Sequence, residues 1–549
     1  MELFVALMLY TYHKTRIMTV FNLPFSFWIF VTTLLTPILS AQTVVSTTWF
    51  TPLDDEAMRV REISDSLGVV TPSNQPLPDW AGYVHGSGEN GVQGSSSELF
   101  SGLNVDGEYR LVQGDTPGSA TIIGLRTFGD FKERFHYEIS AERWKLPVTQ
   151  SQYDAGVKWG YFDGVGRVTG ANPGSTTSRA LQVDRLTFRT SVKISESIEF
   201  AVGHGQHHWG PGTRSLYIDR SMAPANYARL YIDAGVIHYT HLLLRTIHPR
   251  ETDDTTDIGW IAAHMVDVHL GAGFTGALFG GVKWRDQQEG VNHRIEPAYM
   301  MPMIPFRPTE FSLGSPDNVL MGAQLVWRGK GRSSGNVKTF YTQLLFDEFH
   351  LENLKQGGWW ANKWGVLSGG SLSSRSGKWR VSFEGSTVRP FTYSHREAIQ
   401  TWTHAQKPIG PPLGSNFVDL ILRVRWRLVE DYLVRLSFES VYRGLDSENG
   451  FSTGSDVFRN YNERDRENSY NNVFFQGVES DMQRISIDVA RPTGAKFNIA
   501  GIELFARASM RVESHFMDVG EDAPETEAWS AFRIQAGIRS SRVLEGRDW

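Results

Sequence analysis

The fold class this sequence predicts is all-β: a transmembrane antiparallel β-barrel of about 18 strands with a short N-terminal helical segment. Three observations predict it. Long stretches alternate apolar and polar residues with a period of two, as strands do when one face meets an apolar medium and the other a polar one. The connections between these stretches alternate short and long, like the two ends of a bacterial outer-membrane barrel. An export segment opens the chain, and after it no apolar run reaches the roughly 18 residues that a spanning helix requires.

Residues 1–41 read as a secretory signal peptide. Lys14 and Arg16 precede the apolar run LPFSFWIFVTTLLTPIL (23–39), and Leu39-Ser40-Ala41 supplies small residues before Gln42. Pro24 and Pro37 within the run argue against a retained anchor helix, and a start at Met18 would discard both positive charges. Residues 42–100 form a helical and proline-rich segment. Thr51, Pro52 and Asp54 open a helix; Leu53, Ala57, Val60, Ile63 and Leu67 recur at helical spacing before Gly68; Pro72, Pro76 and Pro78 then break the chain.

Residues 101–549 carry the barrel. In its C-terminal half, strands are expected near 318–328, 337–349, 363–373, 377–388, 417–428, 432–443, 476–490, 497–512 and 528–541. The links 329–336, the SSRSG group after Leu372, Glu430-Asp431 and 491–496 are short; 350–362, 389–416, 444–475 and 513–527 are long. The stretch VDLILRVRWRL (418–428) shows the code: Val418, Leu422 and Trp426 lie on the lipid parity, Arg423, Arg425 and Arg427 on the lumen parity. Across the turn, Val434 and Phe438 are expected to face lipid, and Arg435 and Glu439 the lumen. Charge complementarity predicts a register with Arg423 opposite Glu439 and Asp419 opposite Arg443. In the last strand Phe532, Ile534, Ala536 and Ile538 point outward and Arg533, Gln535 and Arg539 inward.

Composition narrows the function. A net charge of −6 argues against non-specific nucleic-acid binding, and the absence of cysteine removes disulfides and thiolate metal sites. His204, His207 and His208 crowd the stretch GHGQHHWGPGTRSL without a carboxylate at a familiar ligand spacing, so no metal or other cofactor is expected there. Neither a G-x-S-x-G nor an H-E-x-x-H motif occurs, and no catalytic residue is assigned.

Four segments point to a family. HHWGPGTRSLYIDRSMAPANYARL (207–230), PAYMMPMIPFRPTEFSLGSPDNVLMG (297–322), FYTQLLFDEF (340–349) and TYSHREAIQTWTHAQKPIGPPLGSNF (392–417), in that order, resemble the Wzi family of outer-membrane capsule assembly proteins. The match is closest at the WGPG, DN, Gln-x-x-x-Asp-Glu and Pro-x-Gly-x-Pro-Leu-Gly elements and poor in the N-terminal third of the barrel and in 444–475. The resemblance implies an occluded barrel of eighteen strands that acts as an outer-membrane lectin and helps hold capsular polysaccharide on the cell.

On the matching segments, Arg214, Glu310, Asp317, Asn318, Gln343, Asp347, Glu348, His404 and Gln406 offer hydrogen-bonding groups for a glycan. Trp209 and Trp402, with Trp359 and Trp360, offer flat apolar faces. The competing reading is that these polar groups satisfy one another and plug the lumen. The expected partners are capsular or other extracellular polysaccharide and the outer-membrane lipid, with no nucleic acid, and a monomer is expected. The alternatives to a non-catalytic polysaccharide organiser are an outer-membrane diffusion porin and an outer-membrane hydrolase.

Overall fold

The computed structural model describes residues 99–540, apart from 132–133, 163, 174–178, 250–255, 287–295, 302–316, 331–335, 355–356, 430–431, 448–449, 493–501 and 518–524. The signal segment, the opening helix and Glu310 lie outside the described residues.

Along the chain the strands are β1 (Leu99–Gly114), β2 (Gly118–Phe131), β3 (Phe135–Val148), β4 (Tyr161–Phe162), β5 (Gly166–Asn172), β6 (Arg179–Ser195), β7 (Ile198–Gly205) and β8 (Ala225–Ala234). They continue with β9 (Ile237–Pro249), β10 (Thr256–Gly271), β11 (Phe274–Arg285), β12 (Asn318–Lys330), β13 (Val337–Phe346), β14 (Trp364–Ser373) and β15 (Trp379–Val388). The short β16 (Thr403–His404) and β17 (Lys407–Pro408) pair only with each other, and β18 (Phe417–Val429), β19 (Tyr432–Leu445), β20 (Val478–Pro492), β21 (Ile502–Met517) and β22 (Glu525–Ser540) complete the set. Setting aside the short β4, β5, β16 and β17, eighteen strands form the wall. Neighbours are antiparallel throughout, and β1 pairs with β22 to close the cylinder, so no edge is left unpaired. Among the described residues no helix is long and apolar enough to cross a membrane.

The period-two code holds along the wall. On β18 and β19, Leu422, Trp426 and Leu436 are exposed on the outer face, while Asp419, Arg425 and Glu439 are buried on the inner one. On β22, Phe532 and Ile538 are exposed and Gln535 and Arg539 buried. Side chains this apolar form an outer belt because hydrocarbon, not water, surrounds them.

The predicted hairpin register is wrong. Arg425 stands opposite Arg435, Ile421 opposite Glu439 and Asp419 opposite Val441, with a bulge between Arg427 and Val429. The pairing expected between two strands is supplied from elsewhere. Arg435 reaches Asp488 on β20 at 2.6 Å, and Glu439 accepts from Arg484 on β20 and, at 2.6 Å, from Arg214 of an inner loop. A lumen-facing charge has neighbours on both sides and in front of it, so counting charges on two strands omits most of its partners.

Two further expectations change. The 513–527 connection shrinks to 518–524, because β21 runs through Met517 and β22 starts at Glu525. Glu513, His515, Glu525 and Glu527 continue the ladder as polar strand ends beyond the apolar band. A helix α1 (Gln150–Trp159), absent from the sequence reading, interrupts the β3–β6 connection. Thr149 and Gln152 form a capping box at its start and Gly160 caps its end in the left-handed conformation, φ 70°. Its segment lies among strands and is short, so period-two patterning on either side conceals it.

Candidate functional site

Two connections from the long-loop end, 206–224 and 389–416, fold into the barrel. Their meeting point is aromatic: Trp402 stacks on Tyr217 at 5.7 Å, Tyr217 on Phe279 of the wall at 4.6 Å, and Trp209 meets Tyr217 edge-on at 5.6 Å. Trp209, Tyr217, Tyr393 and Trp402 are essentially inaccessible. Each such burial contributes roughly 1.5–3 kcal/mol, so the two connections act as a packed plug rather than as loose loops. Their backbone is tied down as well. Trp402 Nε1 donates to Tyr217 O at 2.8 Å, Tyr393 OH to Leu216 O at 2.6 Å, and the buried Lys283 of β11 donates to Thr401 O and Thr403 O, both at 2.6 Å.

The WGPG element explains itself in this setting. Gly210 has φ 154°, and a Cβ there would approach Gln343 Nε2 to 2.6 Å; a Cβ on Gly212 would collide with the Glu384 carboxylate. The glycines let the loop backbone lie against polar side chains of the wall. Gln343 donates to Trp209 O at 3.1 Å and to Gln324 Oε1 at 2.7 Å, and accepts from Leu216 N at 3.1 Å. Glu384 accepts the backbone N–H groups of Thr213 and Arg214, both at 2.8 Å, and the Tyr341 hydroxyl at 2.8 Å. The Arg214 guanidinium spans Asp419 at 3.4 Å and Glu439 at 2.6 Å, so one loop arginine neutralises carboxylates of two wall strands.

The other predicted residues continue this framework. Tyr299 OH and Gln400 Nε2 donate to Asp317 at 2.9 and 3.3 Å, and Asn318 Nδ2 donates to Gln400 O at 2.9 Å. Asp347 accepts from Tyr393 N at 2.8 Å; Lys363 lies 3.9 Å from Asp347 and 3.5 Å from Glu348. Burial alone would lower the Lys363 ammonium, but the Asp347 and Glu348 carboxylates outweigh it and hold the group above its ordinary value. His404 accepts from Ile247 N at 3.1 Å through Nδ1 and faces Pro224 O at 3.0 Å through Nε2, an arrangement that suits a neutral ring; burial lowers its pKa to about 4. The other histidines of the loop go separate ways. His204 bonds Asn226 at 2.7 Å, His207 sits edge-on to Tyr227 at 4.4 Å, and His208 faces Gly212 O at 3.0 Å.

Trp209, Asp317, Asn318, Gln343, Asp347, Trp402 and His404 are therefore buried and held by protein contacts, Arg214 and Glu348 are partly accessible, and Glu310 is not among the described residues. The indole faces of Trp209 and Trp402 are covered by protein. Trp360 meets Phe391 at 5.9 Å and carries Arg464 over its ring at 3.7 Å.

Gln406, unlike the buried residues of the plug, lines a cleft. A cleft of about 890 Å³ lies between α1, the β16–β17 hairpin and the 446–477 connection. Its walls include Gln152, Trp159, Tyr161, Asp257, Arg285, Glu397, Gln406, Phe458 and Arg459. The hairpin tip that reaches it is strained: Ala405 and Gln406 have φ 48° and 60°, a left-handed pair usually given to Asn-Gly. Such residues cost about 1–3 kcal/mol each, and surrounding structure has to hold them there. The sequence reading missed Gln152 and Trp159; the Thr149-x-x-Gln152 capping signature with Gly160 was the available signal.

No family model matches the chain, and no curated protein matches it by sequence. Solved structures do match in shape. Wzi of Escherichia coli, described as a carbohydrate-binding β-barrel involved in group 1 capsule assembly, aligns at a TM-score of 0.51 with 12% identity, over 89% of this chain and 99% of its own. OccAB2 of Acinetobacter baumannii aligns at 0.45 with 8% identity, over 80% and 97%. The fold is that of an outer-membrane β-barrel. At such identities the likeness concerns architecture: a closed wall of eighteen antiparallel strands.

Proposed function

We propose that this barrel binds or organises capsular or other surface polysaccharide at the outer membrane, as a monomer and without catalysis. The observation that carries the reading is the plug: 206–224 and 389–416 fill part of the lumen with a packed aromatic core, where a solute channel calls for open polar space. The order of the four motif segments, and the likeness to a barrel described as carbohydrate-binding, support the same reading. On this reading Arg214, Asp317, Asn318, Gln343, Asp347, Glu348, Trp209, Trp402 and His404 serve chiefly to hold the plug against the wall, and the position of Gln406 on a cleft supports a direct contact with sugar.

The test is deletion of the chain in its native host, with cell-bound and shed polysaccharide measured side by side. Deletion is expected to move polysaccharide from the cell surface into the medium, and re-expression to restore it. Unchanged retention, together with a large steady conductance of the purified barrel in planar bilayers, would replace this reading by that of a diffusion porin.

A further inference from the structure

The cleft at the rim of the plug has a chemistry that no motif assigned. We propose that it binds a short, uncharged stretch of glycan, neutral hexoses or N-acetylhexosamines, and disfavours uronate-rich segments. This inference rests on the polysaccharide reading above and names the site and the sugar class.

Four observations carry it. The volume, about 890 Å³, lies in the range of small-molecule sites. Trp159, Tyr161 and Phe458 bring aromatic surface to the walls, which suits the apolar face of a pyranose ring. Gln152 and Gln406 bring amides; the Gln152 Oε1 is taken by Thr149 N at 3.0 Å in the capping box, which leaves its Nε2 as the group for a hydroxyl. Gln406 Nε2 donates to Pro249 O at 3.3 Å, while its Oε1 has no hydrogen-bond partner among the described residues.

The strain is the fourth observation, and it bears on the choice of residue. A two-residue hairpin with both φ values positive would be met without cost by Asn-Gly, yet this turn carries Ala405 and Gln406, and both line the cleft. A side chain reaching into the cleft is what glycine at 406 would remove.

Charge selects the sugar. Both guanidiniums of the walls are already engaged: Arg285 with Glu397 at 2.6 Å, and Arg459 with Glu463 at 2.9 Å and Asp446 at 3.6 Å. Asp257 and Asp456 add carboxylates to the same walls. Their oxygens accept hydrogen bonds from sugar hydroxyls and repel a uronate.

The experiment uses the full barrel in detergent and calorimetric titration with two probe sets of equal length: neutral oligosaccharides of glucose, galactose, mannose and N-acetylglucosamine, and oligogalacturonates. At least one neutral set is expected to bind and the oligogalacturonates to bind at least tenfold more weakly. Trp159→Ala is expected to lose about tenfold in affinity for the neutral ligand, with most of it kept in Trp159→Phe. Gln406→Gly is expected to weaken binding while raising the thermal midpoint, since it relieves the left-handed strain; a purely structural role would leave affinity untouched. Heat-modifiable mobility checks that each variant is a folded barrel. Preferential binding of the oligogalacturonates overturns the sugar class. Neutral-ligand affinity unchanged in all three variants overturns the site and leaves the polysaccharide reading standing. No binding of any oligosaccharide by the folded wild-type barrel, together with unchanged polysaccharide retention in the deletion strain, overturns both.

Discussion

Arg214 is the residue on which plug and wall are most tightly joined. It neutralises Asp419 and Glu439, and Asp419 lies deep on the inner face of β18. Arg214→Ala should therefore cost about 3–5 kcal/mol, because it strands a buried carboxylate, and detergent-resistant barrel should unfold at a visibly lower temperature. An unchanged thermal midpoint would show that water already solvates these groups. The plug also has a pH dependence. Burial lowers His207 to about 3, His395 to about 4 and His404 to about 4, against an ordinary value of 6.5 that applies once the segment is unfolded. With folded values below the unfolded one, the unfolded state binds more protons as pH falls. Their contribution is thus fully present above about pH 6.5 and is lost as pH drops toward 4 and then 3. Amide protection factors in 389–416, taken against the intrinsic exchange rate at each pH, should fall at pH 4.5 relative to pH 7, and His404→Asn should reduce that difference; protection that does not change with pH would sink the claim.

At the scale of single strands, the absence of cysteine makes parity directly testable. Single cysteines at Leu420, Leu422 or Trp426 should resist a water-soluble thiol reagent in liposomes, while those at Arg423 or Ser437 should react. Leu422→Arg should cost ~2–4 kcal/mol near the midplane, whereas Arg423→Gln should stay within about 0.5 kcal/mol. The inner ladder has its own keystone. Asp488 is almost fully buried and lies 2.6 Å from Arg435, 3.4 Å from Arg539 and 3.7 Å from Arg507. Asp488→Asn would remove the carboxylate that three guanidiniums share, and a loss of about 3–5 kcal/mol is expected in urea unfolding monitored by tryptophan fluorescence. The same cluster shows why the β18–β19 register was not readable from two strands. Arg435 tolerates Arg425 opposite because Asp488 waits on its other side.

For the whole molecule, the central expectation concerns the lumen. Replacing the inner part of 389–416 by a short polar linker removes Tyr393, Ile399, Trp402 and His404 from the plug, with ties such as Ile247 N to His404, but leaves the strand-to-strand ladder of the wall. The variant barrel should insert normally and show a larger single-channel conductance than the wild type in planar bilayers. Equal conductance in the two would mean that this connection does not limit passage.

The wall was legible in the sequence because a strand between oil and a polar lumen has to alternate, residue by residue; β12 to β15 and β18 to β20 were placed to within a few residues on that ground alone. The sorting of connections into short and long ends was legible from β12 to β20, since one end of a barrel needs only to turn the chain, but it fails at the last two connections, where 493–501 is longer than 518–524. The plug residues were legible as unusual, through WGPG and the polar clusters, but their role was not. Whether Trp402, Asp347 or Gln343 meets a sugar or a neighbouring backbone depends on partners lying more than 40 residues away, such as Tyr217, Tyr393 and Trp209. The cleft is likewise a product of the tertiary structure. A helix end, a hairpin tip and a long connection, far apart in the chain, enclose it, and no local pattern records that they meet. Periodicity is a property of the chain against its solvent, and the sequence carries it; a site is a property of which distant segments the closed cylinder forces together.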